Sequence, residues 1–171
     1  MDLIISYSWN QYYRAKPEIL RLLKDFGDPD PWVEKPPVWG IAIAHTSLDN
    51  RDVINKCRAL HDKDPTAIQS AIKWLPVDYW CHTELESIKQ VIDEKVKDQI
   101  LEMETWGMKV KKRRWQQYHT SEIVEYLTAD IHRKVDLNNP DKLIWVDVVG
   151  CETAISLLGP DDIFTLGLSQ L

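Results

Sequence analysis

Apolar side chains recur at every second position in residues 2–9, at Leu3, Ile5, Tyr7 and Trp9, with Asp2, Ser6 and Ser8 among the residues between them. That is the period of a strand with one buried face. Over residues 14–26 the period changes. Ile19, Leu20, Leu22, Leu23 and Phe26 lie along one helical face, Pro17 is tolerable in a first turn, and Gly27 followed by DPDP ends the helix. A short strand is expected around Trp32 and Val33, before the breaker Pro36-Pro37. A fuller strand at 39–45 puts Trp39, Ile41 and Ile43 on one face and small alanines on the other. Asp49 or Asn50 caps a helix carrying Val53, Ile54, Cys57 and Leu60, and 67–75 reads as a last strand ending at Pro76. The order βαββαβ is that of a ferredoxin-like unit, a sheet covered on one face by two helices.

A second unit is expected to start near Thr83. Thr83-Glu84-Leu85-Glu86 has the spacing of a capping box, and Leu85, Ile88, Ile92, Val96 and Ile100 then repeat every three or four residues. A strand from about Glu104 runs into a basic stretch. Thr120 or Ser121 opens a helix through about Lys134 with Ile123, Leu127 and Ile131 inward. The β-rich run 143–149 turns at Gly150-Cys151-Glu152 into a strand at 153–158, and Phe164 packs back on the core. The expected fold class is therefore α+β, a ferredoxin-like domain at 1–80 followed by an α/β domain at 81–171.

Composition narrows the function. At 171 residues, 44% hydrophobic and 28% charged, the chain has room for two small globular domains. No apolar run approaches the roughly 18 residues that cross a bilayer, and the amino terminus lacks a signal-peptide pattern, so no membrane partner is expected. Cys57, Cys81 and Cys151 are odd in number and far apart, which argues against a disulfide framework and for a reducing, cytoplasmic setting. The formal net charge of -6 repels nucleic acid, so such a partner needs a local patch.

One stretch supplies it: KVKKRRWQQYHTSE, residues 109–122, with five cations in its first seven positions and no acid among them. In a strand Lys109, Lys111 and Arg113 share one face while Lys112 and Arg114 share the other, so the segment is expected to be an exposed strand end or loop. Lysines guarding an edge strand against aggregation would explain the charge alone. The arginines, whose planar fork grips phosphate, and the adjoining Trp115, Tyr118 and His119 favour a single-stranded nucleic-acid site instead. The helix start at Thr120-Ser121 adds backbone N–H donors for phosphate. Arg133 and Lys134, expected at the end of that helix, extend the track or simply complement the helix dipole. Trp115 is the residue singled out for base stacking. The other tryptophans, Trp9, Trp32, Trp39, Trp74 and Trp145 among them, are expected to fill cores or a domain interface.

Catalytic patterns are missing. There is no H-E-x-x-H and no phosphate-binding loop, and no nucleophile sits beside a base. Cys57, His61, Cys81 and His82 make a poor zinc set, because adjacent residues rarely reach one tetrahedral ion. A binder rather than an enzyme is expected, with no cofactor and no metal.

The carboxy-terminal half resembles a THUMP domain, an RNA-binding module of transfer-RNA modification systems. The resemblance rests on KVKKRR, the Thr120-Ser121-Glu122 helix start, VDLNNPDKLIWVDVVG at 135–150 and TAISLL at 153–158. THUMP domains typically follow an amino-terminal ferredoxin-like domain, so the resemblance extends over nearly the whole chain. Together with the ending ISLLGPDDIF, it is similar to the stand-alone transfer-RNA-binding adaptor for cytidine N4-acetylation, with no catalytic domain behind it. The resemblance implies transfer RNA, held at its 3′ acceptor end, and a separate RNA cytidine acetyltransferase as partners, with no DNA expected. The residues expected to touch RNA are Lys109, Lys111, Lys112, Arg113, Arg114, Trp115, His119, Thr120, Ser121, Arg133 and Lys134. Other readings are a THUMP-type subunit for another RNA modification, a protein–protein adaptor whose cluster docks on an acidic partner, and a small enzyme with an unrecognised site.

Overall fold

The opening alternation becomes β1 (Asp2–Tyr7), whose Leu3 and Ile5 are fully buried against two helices in a computed structural model that describes residues 1–167. The rest of the first unit follows the expected order: α1 (Tyr12–Asp25), β2 (Trp32–Glu34), β3 (Ile41–His45), α2 (Asn50–Lys63) and β4 (Ala71–Val77). The strands pair antiparallel in the order β2-β3-β1-β4. The helices take the face of β3 that carries Ala42 and Ala44, because small side chains let a helix approach the sheet closely. Pro17 lies in the second turn of α1 rather than the first, since the helix already begins at Tyr12.

Polar groups fasten this unit at places the hydrophobic pattern does not mark. The Glu18 carboxylate accepts three backbone N–H bonds, from Gln69, Ser70 and Ala71 at 2.7–2.8 Å, and so ties α1 to the start of β4. Buried Asn50 donates to the carbonyls of Asp2 (3.1 Å) and Val77 (3.0 Å), joining the ends of β1 and β4 to α2. Asp49 is the helix cap, accepting from the N–H groups of Arg51 and Asp52.

The second unit spans Asp78–Pro160. It contains β5 (Tyr79–His82), α3 (Leu85–Val91), β6 (Trp106–Arg113), α4 (Thr120–Leu127), β7 (Lys142–Val149) and β8 (Glu152–Leu158). Its sheet runs β5-β8-β7-β6, with β6 parallel to β7 and the other pairs antiparallel. Past α3 the chain widens into a π turn, Ile92–Val96, then tightens into a 3₁₀ turn, Lys97–Gln99. Ile88, Ile92, Val96 and Ile100 are fully buried along this path, as their spacing predicts. Gly150, at a φ of 69°, makes the expected hairpin between β7 and β8.

Four expectations change. The junction 79–82, left unassigned by its sequence, is strand β5 in register with 152–155 of β8, so the boundary falls after Val77 instead of after residue 80. Residues 161–167 group with the first unit, where β9 (Phe164–Thr165) pairs with β4 and Phe164 enters the α1–α2 core. Thr83 does not cap α3. Its hydroxyl donates to the Gly150 carbonyl at 2.8 Å, and Glu84 stands at the cap instead. Helix α4 ends at Leu127, because the chain turns at Thr128 and runs irregularly to Val135.

Candidate nucleic-acid interface

The basic run occupies β6, the edge strand of the second sheet. Trp106, Met108 and Val110 face the helices and join the core. The intervening Lys109, Lys111 and Arg113 line the opposite face, level with Trp145, Asp147 and Val149 of β7. Lys109 Nζ lies 5.0 Å and Lys111 Nζ 6.0 Å from the Trp145 ring centroid, within cation–π range. The Arg113 guanidinium donates to Asp147 Oδ1, and Trp145 Nε1 donates to Asp147 Oδ2 at 3.2 Å. Burial pushes the Lys111 ammonium below its ordinary range, Arg113 and Lys109 add to this, and Asp147 opposes it. This face is therefore a preorganised cationic row, half-buried and partly neutralised.

Beyond Arg113 the strand breaks. Arg114 takes a left-handed φ of 60°, which turns its exposed side chain away from the ladder. Lys112 Nζ donates to the Tyr118 carbonyl at 2.8 Å and draws the 114–119 loop against the strand end. The loop leads into α4, whose Glu122 carboxylate accepts the His119 N–H at 2.8 Å. The first amides inside the helix, at Thr120 and Ser121, have no preceding carbonyl to bond and face outward from its amino terminus. Lys112, Arg114, His119, Thr120 and Ser121 are all exposed, so the end of β6 and the start of α4 deliver cations and helix-start donors to one end of this unit, while Lys109, also exposed, stands four residues back along the strand.

Three expected site residues stand elsewhere. Trp115 is only 9% exposed and packs into the second core, edge-on to Tyr118 with centroids 5.7 Å apart. Its ring is thus a wall and not a free stacking platform, because the left-handed turn at Arg114 throws it back under the sheet. With Tyr118, Tyr126, Gln117, Glu84 and Glu86 it lines a cavity of about 380 Å³. Arg133 and Lys134 are off the helix altogether. The Lys134 carbonyl accepts the Trp106 N–H and the Arg133 carbonyl accepts Trp106 Nε1 at 3.1 Å, so both residues sit at the start of β6. Seven residues of strand, about 23 Å, separate them from Arg113.

The specific-looking VDLNNPD segment is a lace between the loop and β6. Asp136 Oδ1 accepts the N–H groups of Asn138 and Asn139, which hold its carboxyl below the usual range, and Asp141 Oδ2 accepts from the Thr105 N–H at 2.8 Å. Sequence reasoning missed Asp147 as the counter-ion of the basic row. The signal was present: one carboxylate inside the apolar run LIWVDVV.

Burial pushes the Cys57 thiol up to about 12 and that of Cys81 to about 11, so neither is a thiolate near neutral pH. Among the described residues no three His, Cys, Asp or Glu side chains converge to hold a metal ion. No helix among them is long and apolar enough to cross a membrane.

No family model matches the chain. Among curated proteins, the uncharacterized protein MJ0421 of Methanocaldococcus jannaschii is 29% identical over 144 residues, 81% of this chain but 37% of that protein. Similar solved structures include the following. PH1313 of Pyrococcus horikoshii matches 92% of this chain at a TM-score of 0.62 and 15% identity. TrmN of Thermus thermophilus matches 91% at 0.60 and 11%. A 4-thiouridine synthetase, solved as an RNA complex with bound ATP, matches 96% at 0.51 and 15%. The chain spans 54%, 44% and 41% of those three chains. At such identities the likeness is one of fold, and over more than nine-tenths of its length this chain shares the α+β fold of these proteins.

Proposed function

We propose that this chain is a THUMP-type RNA-binding protein of transfer-RNA modification, and more specifically an adaptor that holds the 3′ acceptor end and presents a cytidine to a separate N4-acetyltransferase. One observation carries the reading. At the end of β6 the exposed cations Lys112 and Arg114 stand with His119 and the amino terminus of α4, in a protein whose net charge is -6. Such a cluster neutralises phosphates of a flexible strand, while the outward amides of Thr120 and Ser121 bind one phosphate without a side chain. The fold shared with a chain solved in complex with RNA supports the same reading.

The role assigned to the chain is positioning. The cationic row of Lys109, Lys111 and Arg113 is held rigid by Trp145 and Asp147, so its charges meet the RNA already ordered. Recognition then depends on an unpaired terminus and on RNA shape rather than on a duplex sequence. Bond-making belongs to the partner, which would use acetyl-CoA and ATP. The chain itself contributes no nucleophile, base or cofactor to the reaction, and DNA is not its ligand.

The deciding experiment compares transfer RNA with and without its terminal unpaired nucleotides. Intact transfer RNA should bind, and removal of those nucleotides should weaken binding at least tenfold. The acetyltransferase, given acetyl-CoA and ATP, should then modify transfer RNA only when this chain is present. Equal affinity for both RNAs defeats the acceptor-end reading. Binding to the enzyme but to no RNA would favour a protein–protein adaptor, and product formed by the chain alone would make it an enzyme.

A further inference from the structure

Trp9 and Trp39 are 77% and 72% exposed, yet their rings stack on one another, with centroids 5.6 Å apart and planes 13° from parallel. Both were expected to fill a core or an interface between domains. Within the first unit they do neither. The backbone holds them out deliberately: Asn10 beside Trp9 has a φ of 58°, Gly40 beside Trp39 has a φ of 81°, and the Tyr7 N–H donates to the Gly40 carbonyl at 3.1 Å. Two left-handed residues thus turn two loops, after β1 and before β3, so that their tryptophans meet in solvent.

The residues that neighbour the pair along the chain are aromatic and cationic. Tyr13, 64% exposed, has the Arg14 guanidinium 5.5 Å from its ring centroid. Tyr12 lies 5.6 Å from Tyr7 and carries Lys35 Nζ at 4.9 Å. Residues 3–17 and 35–48 include Arg14, Lys16 and Lys35 and not one Asp or Glu. In an acidic chain this is a second constellation of cations and exposed rings, located in the other unit from the basic strand.

We propose that the Trp9–Trp39 pair is a stacking platform for an unpaired RNA base, with Arg14 and Lys35 taking the flanking phosphates. A ring pair leaves an outer face at each end for a base, and every base has a π-face to offer, so the contact is indifferent to sequence. Two segments that carry cations and no acid of their own suit a polyanion and are a poor match for an apolar protein surface. This inference rests on the RNA-binding reading above and adds to it a contact made by the first unit.

The test uses the full chain with transfer RNA and with a single-stranded oligoribonucleotide of about ten nucleotides. Binding should quench the tryptophan fluorescence. Trp9→Ala with Trp39→Ala should weaken affinity about tenfold while leaving the slope of log K against log salt unchanged. Trp9→Phe with Trp39→Phe should recover part of the loss, and Arg14→Ala with Lys35→Ala should flatten the slope instead. Because both tryptophans are exposed, their replacement should leave the urea midpoint where it was. Wild-type affinity in the Trp9→Ala, Trp39→Ala chain overturns this inference alone. Failure of the unaltered chain to bind either RNA overturns it together with the proposed function.

Discussion

The Arg113 guanidinium lies against the Asp147 carboxylate on the sheet face where Asp147 is 2% exposed, so the innermost cation of the basic row is a structural counter-ion as well as a candidate RNA contact. Removing it leaves a buried negative charge to which the Trp145 indole still donates. Arg113→Ala is therefore expected to destabilise the protein by about 2–3 kcal/mol, less than a wholly orphaned charge because the indole bond survives. Adding Asp147→Asn should return part of that stability. Urea unfolding of the two single variants and the double variant measures the coupling, and additive effects would mean that the ion pair contributes nothing to the fold.

RNA contacts are better tested at residues whose loss leaves no buried partner. Arg114 is exposed and sits at a φ of 60°, a conformation that glycine adopts without the steric cost borne by other residues. Arg114→Gly should stabilise the fold by up to about 1 kcal/mol, yet weaken RNA binding and flatten its salt slope by about 0.7, the value for one phosphate on a single strand. Opposite signs in the two measurements separate binding from folding. An unchanged slope would remove Arg114 from the interface.

Much of this architecture is legible in local pattern. The three-and-four spacing from Ile88 to Ile100 gave the correct face, because burial on one side is a local signal, and Leu3 and Ile5 are buried as expected although Ile4 on the other face of β1 is buried too. What escaped were decisions made by distant partners. Residues 79–82 become strand β5 only because β8 passes alongside, and Phe164 enters the first core through pairing with β4, ninety residues earlier in the chain. The candidate site divides in the same way. The cationic alternation of Lys109, Lys111 and Arg113 could be read directly. The burial of Trp115 followed from one left-handed residue, and the separation of Arg133 and Lys134 followed from an early helix end. The exposed Trp9–Trp39 pair escaped because composition assigns tryptophan to cores by default.

Asp28 supplies a prediction in pH. It is buried, and its carboxylate accepts from the Thr46 hydroxyl at 2.6 Å and from the N–H groups of Asp30 and Ser47 at 3.0 and 3.1 Å. Burial alone would push its pKa up, but the bonds from Thr46, Asp30 and Ser47 outweigh it and hold the carboxyl below its ordinary value. A lowered folded pKa means that the ionised form contributes stability above the unfolded value of about 4, and that this is lost as pH falls through the folded value. Asp28→Asn should thus be less stable than wild type by about 2 kcal/mol at pH 7, with the gap narrowing below about pH 4. Urea midpoints at several pH values test this, and a gap constant down to pH 3 would contradict it.

Gly107 tests whether the lace at the start of β6 positions the basic row. A Cβ built there would stand 3.2 Å from the Asp136 carbonyl oxygen and 3.4 Å from Pro140 Cγ. The first atom is backbone and cannot swing aside, and the Asp136 N–H already donates to the Trp106 carbonyl at 2.9 Å. Gly107→Ala should therefore displace the 135–141 segment by a few tenths of an ångström and cost about 1–2 kcal/mol, with Gly107→Val costing more. Since Arg113 and Arg114 lie about 20 Å or more along the strand from Gly107, the cations at its far end stay in place. RNA affinity measured well below the unfolding transition should fall less than twofold in Gly107→Ala, with an unchanged salt slope. A large loss of affinity in a folded Gly107→Ala chain would show that RNA reaches the VDLNNPD segment, and would put Arg133 and Lys134 back into the contact surface.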